Sequence, residues 1–236
     1  MRLHLPPTID PEQPCPYLPG RTSRTEFFLA TELAPEECDA LLNRGWRKFG
    51  PQIFRPACAE CRLCTPLRLE VKDFKMSKSQ RRVEQKNGGT RVIFREAEES
   101  DEFYQLHARF NRERYGREIS REEYQRSFHW HSGRLLQSEF RRDGKLIAAG
   151  FLDLGRDCLS SVYFFFDPDF AAFSPGVFGA LAEIRFAAEL GCRWYHLGYL
   201  VPGCQAMEYK ARFQPHEVMD WKSGQWAKPV GQHHHP

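Results

Sequence analysis

The sequence predicts an α/β protein built around a mixed sheet, and three observations carry that reading. Asp143 and Gly144 sit between apolar-rich runs at 134–141 and 145–154, the pattern of a hairpin with a tight turn. Residues 155–157 then turn the chain into a third strand at 158–166. Val177, Leu181, Ile184 and Ala188 recur at helical spacing behind Ser174 and Pro175, and Gly191 closes that helix. A strand at 194–197, a short helix at 207–213 and a strand at 218–221 complete the second half. A meander followed by helical crossovers mixes antiparallel and parallel neighbours in one sheet.

The first half is less regular. The first 15 or so residues hold Pro6, Pro7, Pro11 and Pro14 and read as extended. Residues 35–43 read as a helix with Pro35 in its first turn and Gly45 just past its end. A strand-like stretch at 46–54 breaks at Gly50 and Pro51. Leu67, Leu69 and Val71 alternate with Arg68 and Glu70, as in a half-buried strand. Ser77 caps a basic helix that runs to about Asn87, where Gly88 and Gly89 stop it. A strand at 91–94 follows. Ser100, with Asp101 and Glu102, opens a helix whose inner face is Phe103, Leu106 and Phe110, and Ser120 with Glu123 forms a capping box for the next. The order of the second half is similar to that of the GNAT acyltransferases. The expected architecture is therefore a GNAT-like mixed sheet with flanking helices over 96–236, plus a smaller N-terminal α/β part over 1–95 that carries a cysteine cluster.

Composition bounds the function classes. The chain has 236 residues, 41% hydrophobic and 28% charged, with 19 Phe, so it can bury a core and is not disordered. The net charge of +3 implies no particular partner. Its distribution does: residues 66–95 hold nine Lys and Arg against three Asp and Glu, a local excess of +6 on an otherwise mildly acidic chain. No apolar run approaches the ~20 residues that span a bilayer, and the first residues lack the apolar stretch of a secretory signal. A cytoplasmic protein without a membrane partner is expected. Its eight cysteines are then thiols or metal ligands rather than disulfides. His129 and His131 flank Trp130 with no ligand spacing, and the histidines at 233–235 read as a terminal tail.

Two segments bear on chemistry. A GNAT enzyme that uses coenzyme A needs a glycine-rich loop before the helix that receives the pyrophosphate. Here residues 167–176 lack paired glycines and place Asp167 and Asp169 at that point, which argues against that donor. Cys58, Cys61 and Cys64 form a CxxCxxC between Pro56 and Pro66. With Cys15 as a fourth thiol they suit zinc or an iron–sulfur cluster; Cys38 lies in a predicted helix and is the weaker fourth ligand. The alternative is a set of reduced thiols in a tight loop.

Five stretches together resemble the bacterial aminoacyl-tRNA–protein transferases, relatives of the eukaryotic arginyltransferases, that conjugate leucine to N-terminal Asp or Glu. They are residues 15–22, residues 54–58 with Cys61 and Cys64, residues 77–82, residues 161–168 and residues 207–215. Two positions depart from that pattern: residues 173–176 read Phe-Ser-Pro-Gly, and Leu200 follows Gly198 and Tyr199.

The resemblance implies amide formation from an activated ester, as a step in N-degron protein degradation. No cofactor is required for the chemistry itself. It implies that aminoacyl-tRNA is held by cations, for which Lys78, Arg81 and Arg82 with Lys86 are suited, and Gln80 lies in the same motif. It implies that the acceptor carboxylate is gripped by a guanidinium, with Arg21, Arg24, Arg81 and Arg82 as candidates. Tyr209 and Lys210 are candidates for the oxyanion or a proton relay, and Asp167 for holding an ammonium. Two alternatives remain at this level: an arginyl donor with the same acceptors, and a non-catalytic metal-binding RNA module.

Overall fold

The computed structural model describes residues 1–130 and 132–229. His131 and the histidines at 233–235 lie outside the described residues. In chain order the elements are β1 (Arg2–Ile9), β2 (Gln13–Pro14), β3 (Thr22–Ser23), β4 (Thr25–Thr31), α1 (Pro35–Asn43), β5 (Arg47–Phe49), β6 (Gln52–Pro56), β7 (Thr65–Glu70), α2 (Lys78–Lys86) and β8 (Arg91–Glu96). Then come α3 (Asp101–Tyr115), α4 (Arg121–Phe128), β9 (Leu135–Arg142), β10 (Lys145–Leu154), β11 (Cys158–Phe166), α5 (Pro175–Glu189), β12 (Trp194–Leu200), α6 (Gln205–Glu208), β13 (Glu217–Met219) and β14 (Trp226–Ala227). Short 3-10 turns occupy Val71–Asp73, Pro168–Phe173 and Tyr209–Arg212.

The expected mixed sheet is present. Eight strands run in the order β14-β13-β7-β12-β11-β10-β9-β8, and β11 with β12 is its parallel pair. That pair needs a crossover, which α5 supplies. Small residues let α5 lie close to the sheet: a Cβ at Gly179 would collide with the Phe164 ring. On the opposite face α3 and α4 bury Phe103, Phe110, Tyr124 and Phe128 against Phe151 and Phe165. Each such ring stabilises the fold by about 2–3 kcal/mol through area removed from water. Of the apolar positions read on α5, Leu181 and Ile184 are buried, whereas Ala188 is exposed and Ala187 takes the inner place.

A second sheet, β1-β4-β6-β5, stands on the first. Its β1 was expected only as an extended arm, and β4 has no counterpart in the sequence reading. Pro6 and Pro7 are compatible with β1 because it is an edge strand and its register slips between Leu5 and Thr8, where the missing N–H groups are not needed. The expected helix at 207–213 is shorter, with α6 giving way to a 3-10 turn. Both β7 and β8 belong to the large sheet, so a division of the chain at residue 95 does not follow a sheet boundary.

The three residues of β5 tie the two sheets together. Lys48 pairs with Asp153 of β10 at 2.7 Å, the two side chains only 7% and 4% exposed. Phe49 packs edge-on against Phe128 and Tyr163. Arg47 reaches β11. From α1, Asp39 accepts from the Cys158 thiol at 2.8 Å and the Asp157 N–H at 3.0 Å. No helix among the described residues is long and apolar enough to cross a membrane.

Candidate active site

The parallel pair at the centre of the large sheet parts. β11 and β12 are in register only from Cys158 opposite Trp194 to Ser160 opposite His196. Beyond that, β11 stays with β10 and β12 with β7. Each strand also carries an irregularity at this point: β11 between Ser161 and Tyr163, β12 between His196 and Gly198. Bulges of this kind redirect side chains and end pairing, and they gather next to active sites.

Two cations converge here. Arg47 donates through Nη1 to Ser160 Oγ at 2.8 Å and through Nη2 to the Ser161 carbonyl. Lys210, buried on the 3-10 turn after α6, donates from Nζ to the Tyr199 carbonyl at 3.0 Å and touches Met207 Sδ at 3.6 Å. Between them lies Gly198, whose φ of +94° few residues other than glycine adopt. Burial, reinforced by the Arg47 guanidinium, brings the Lys210 ammonium down to about 7.

Beside this opening is a cavity of about 210 Å³ lined by Tyr17, Arg24, Phe54, Pro56, Tyr199 and the thiols of Cys15, Cys58, Cys61 and Cys64. The structure thus brings the four predicted thiols and Arg24 to one place. Arg21 lines the adjoining hollow and its Nη1 lies 3.8 Å from Cys61 Sγ. The Tyr17 and Tyr199 hydroxyls are raised chiefly by burial, and both feel Cys64 and the opposing pull of Arg47. The two tyrosines therefore join the thiol cavity to the cation pair.

The four thiols line one cavity and are the right donors for a soft metal. Burial, with Cys58, Cys15 and Cys61 nearby, pushes the Cys64 thiol up to about 12. Among the described residues no group of three or more Cys, His, Asp or Glu is arranged to hold a metal ion.

The other predicted residues fall elsewhere. Lys78, Arg81 and Arg82 are exposed on α2, and Arg81 Nη1 donates to the Met76 carbonyl at 2.6 Å. Gln80 has a different role from the expected substrate contact. It is 3% exposed, its Oε1 accepts from Ser77 N, and its Nε2 donates to the Arg212 carbonyl at 3.2 Å. It fastens α2 to the turn that carries Tyr209 and Lys210. Asp167 also changes role, because both of its oxygens are taken. Oδ2 accepts from Lys145 at 2.6 Å, and Oδ1 from Arg109 at 2.8 Å and from the Asp169 N–H at 3.1 Å. Burial opposes its charge, yet these donors outweigh it and hold the carboxyl below its ordinary value. It caps the turn after β11 and, 1% exposed and already paired with two cations, is not placed to hold a substrate ammonium. Tyr209 packs edge-on against Phe213, and burial pushes its hydroxyl up to about 12, with Glu183 adding to the effect.

Sequence reasoning missed Arg47 and Glu183. Arg47 sits on a three-residue strand without a motif. Glu183 lies on α5 among apolar positions, and a carboxyl interrupting that stripe was the available signal. Its Oε2 accepts from Tyr195 OH at 2.5 Å, its Oε1 has no hydrogen-bond partner among the described residues, and burial pushes the group up to about 7.

The parted parallel pair with α5 as its crossover is the mixed α/β layout expected from the sequence. The crystal structure of a C-terminal DUF2156 domain from Agrobacterium fabrum, described as that of a lysylphosphatidylglycerol synthetase, shares the fold. Its TM-score is 0.50 at 16% identity, over 67% of this chain and 59% of that one. The profile of the arginine-tRNA-protein transferase N terminus matches residues 13–82 and that of the C terminus residues 102–220. The chain belongs to that family of aminoacyl-tRNA–protein transferases. Curated relatives include the aspartate/glutamate leucyltransferase of Campylobacter jejuni, 35% identical over 88% of this chain and 90% of the relative. That of Aeromonas hydrophila is 33% identical over 91% and 93%.

Proposed function

We propose that the protein transfers leucine from leucyl-tRNA to the α-amine of proteins that begin with Asp or Glu, feeding an N-degron route. The observation that carries this reading is the pairing of half-buried Arg47 with buried Lys210 where β11 and β12 part, in a member of a tRNA-dependent transferase family whose relatives bear the leucyltransferase name. The amine nitrogen attacks the ester carbonyl carbon. A C–N bond forms, the bond to the tRNA 3′-oxygen breaks, and the proton lost by nitrogen passes to that oxygen. The ester is already activated, so orientation and charge stabilisation suffice. Tyr209, whose hydroxyl holds its proton, suits a donor in that relay and not a base. Lys78, Arg81 and Arg82 present exposed charge to tRNA phosphates. Arg21 and Arg24 draw acidic chain starts toward the cavity. The test supplies Leu-tRNA or Arg-tRNA with amidated peptides that start with Asp, Glu or Ala. Leucine should appear on the first two only; label on all three, or on none, ends the reading, and transfer from Arg-tRNA alone replaces the donor.

We also propose that Cys15, Cys58, Cys61 and Cys64 hold zinc or an iron–sulfur cluster. Elemental analysis of anaerobically purified protein should find metal that Cys61→Ser lowers. Metal-free protein of full activity would leave four plain thiols.

A further inference from the structure

We propose that Arg47 and Lys210, with Gly198 between them, form the subsite for the side-chain carboxylate of the acceptor's first residue. The inference rests on the transferase reading and names the pair that reads the acceptor.

Every hydrogen-bond partner of the two cations is uncharged: a hydroxyl, two carbonyls and a thioether. Lys210 is only 8% exposed. The ionisable groups whose charge reaches it are Arg47 and the Cys204 thiol, so among the described residues no carboxylate offsets it. A buried cation without a counter-charge is unfavourable, and two facing each other are more so. Such an arrangement is relieved by an anion brought from outside.

The space for that anion is defined. A Cβ on Gly198 would lie 3.2 Å from Lys210 Nζ and 3.7 Å from Arg47 Nη2. Both cations therefore flank Gly198 with no side chain between them, so a carboxylate lying over its Cα at van der Waals distance can meet both. Arg47 uses one N–H of each Nη group on β11 and keeps three of its five for a ligand. Tyr199, next in β12, lines the 210 Å³ cavity, which is of a size for the first residue of a chain.

The anion is a permanent one. A tetrahedral oxyanion exists only at the moment of reaction and would leave the pair uncompensated for the rest of the cycle. A side-chain carboxylate is charged from first contact. Phosphates are matched instead by the exposed cations of α2.

Calorimetry on the full chain without tRNA tests this, using C-terminally amidated peptides that begin with Asp, Glu, Asn or Gln. The side chain is then the carboxylate that distinguishes them. The protein should bind Asp and Glu peptides at least about tenfold tighter than their amides, as expected of a charge-assisted bond. Lys210→Met and Arg47→Gln should each bring that ratio close to one while melting cooperatively. Arg47→Lys should retain part of it. Discrimination intact in Lys210→Met overturns the proposal, as does an equal loss for all four peptides. Should Arg47→Gln fail to fold, Lys210→Met decides, because it removes only the ammonium. Binding needs no donor, so a failure of leucyl transfer leaves this result readable by itself.

Discussion

Lys78, Arg81 and Arg82 stand in solvent on α2, while Lys210 is buried and Arg47 half-buried at the centre of the sheet. Both groups are positive, and α2 is pinned through Gln80 to the very turn that holds Lys210. Burial separates their uses. Exposed cations attract a polyanion at long range, weakly per contact and in competition with salt. Enclosed cations act at contact, in a poorly screened site, on one group of defined geometry. The sequence stretch with the largest positive excess is thus the less selective of the two regions.

The sharpest way to break that contrast is to create another unpaired enclosed cation. Asp153→Ala leaves Lys48 buried without its partner and should lower stability in chemical denaturation by about 3–5 kcal/mol. A loss under about 1 kcal/mol would mean that enclosed cations in this protein are well tolerated, and the case for a missing anion at Lys210 would weaken with it.

Lys210→Met reverses the experiment. With the ammonium at about 7 in the folded chain and its ordinary 10.5 when unfolded, the unfolded chain holds the extra proton between those values. Stability therefore climbs with pH across that window, and below about pH 7 the whole cost of the buried charge is present. At pH 6.5 the variant should be more stable by roughly 2–4 kcal/mol, and its stability should no longer rise toward pH 10. A variant less stable than the parent at that pH would show Lys210 to be compensated already.

Glu183 supplies the complementary case of an enclosed acid. Its carboxyl lies near 7 folded against an ordinary 4.5, so the folded chain holds the extra proton between them, and stability falls as pH rises from 4.5 to 7. Glu183→Gln should flatten that fall, a difference of about 3 kcal/mol at pH 7.5. An unchanged pH profile would assign the slope to another group.

The exposed region should respond least in stability. Arg81→Ala with Arg82→Ala should leave the melting temperature within a degree or two and flatten the salt dependence of tRNA binding by roughly one unit of log–log slope per side chain. An unaltered slope would move the tRNA contact off α2.

Much of the scaffold was legible beforehand, for local reasons. Asp143-Gly144, the Ser77 and Ser120 caps and the spacing of Leu181 and Ile184 are decided within a few residues, so short-range rules find them. Cys58, Cys61 and Cys64 are legible as a set from their close spacing, whereas it is the fold that brings Cys15 beside them. The edge strand β1 and its partner β4 were not, since pairing between residues so far apart in the chain leaves only a weak local trace.

What the sequence by itself determined was the alternation of strand and helix, the basic stretch and the inventory of reactive side chains. The folded chain alone decided which charges are enclosed. Arg47 and Lys210 are 163 positions apart, and they meet because Lys48 and Phe49 seat β5 on the large sheet just where β11 and β12 part. Burial sets the strength of a charge, and burial is a property of neighbours that no local run of residues contains.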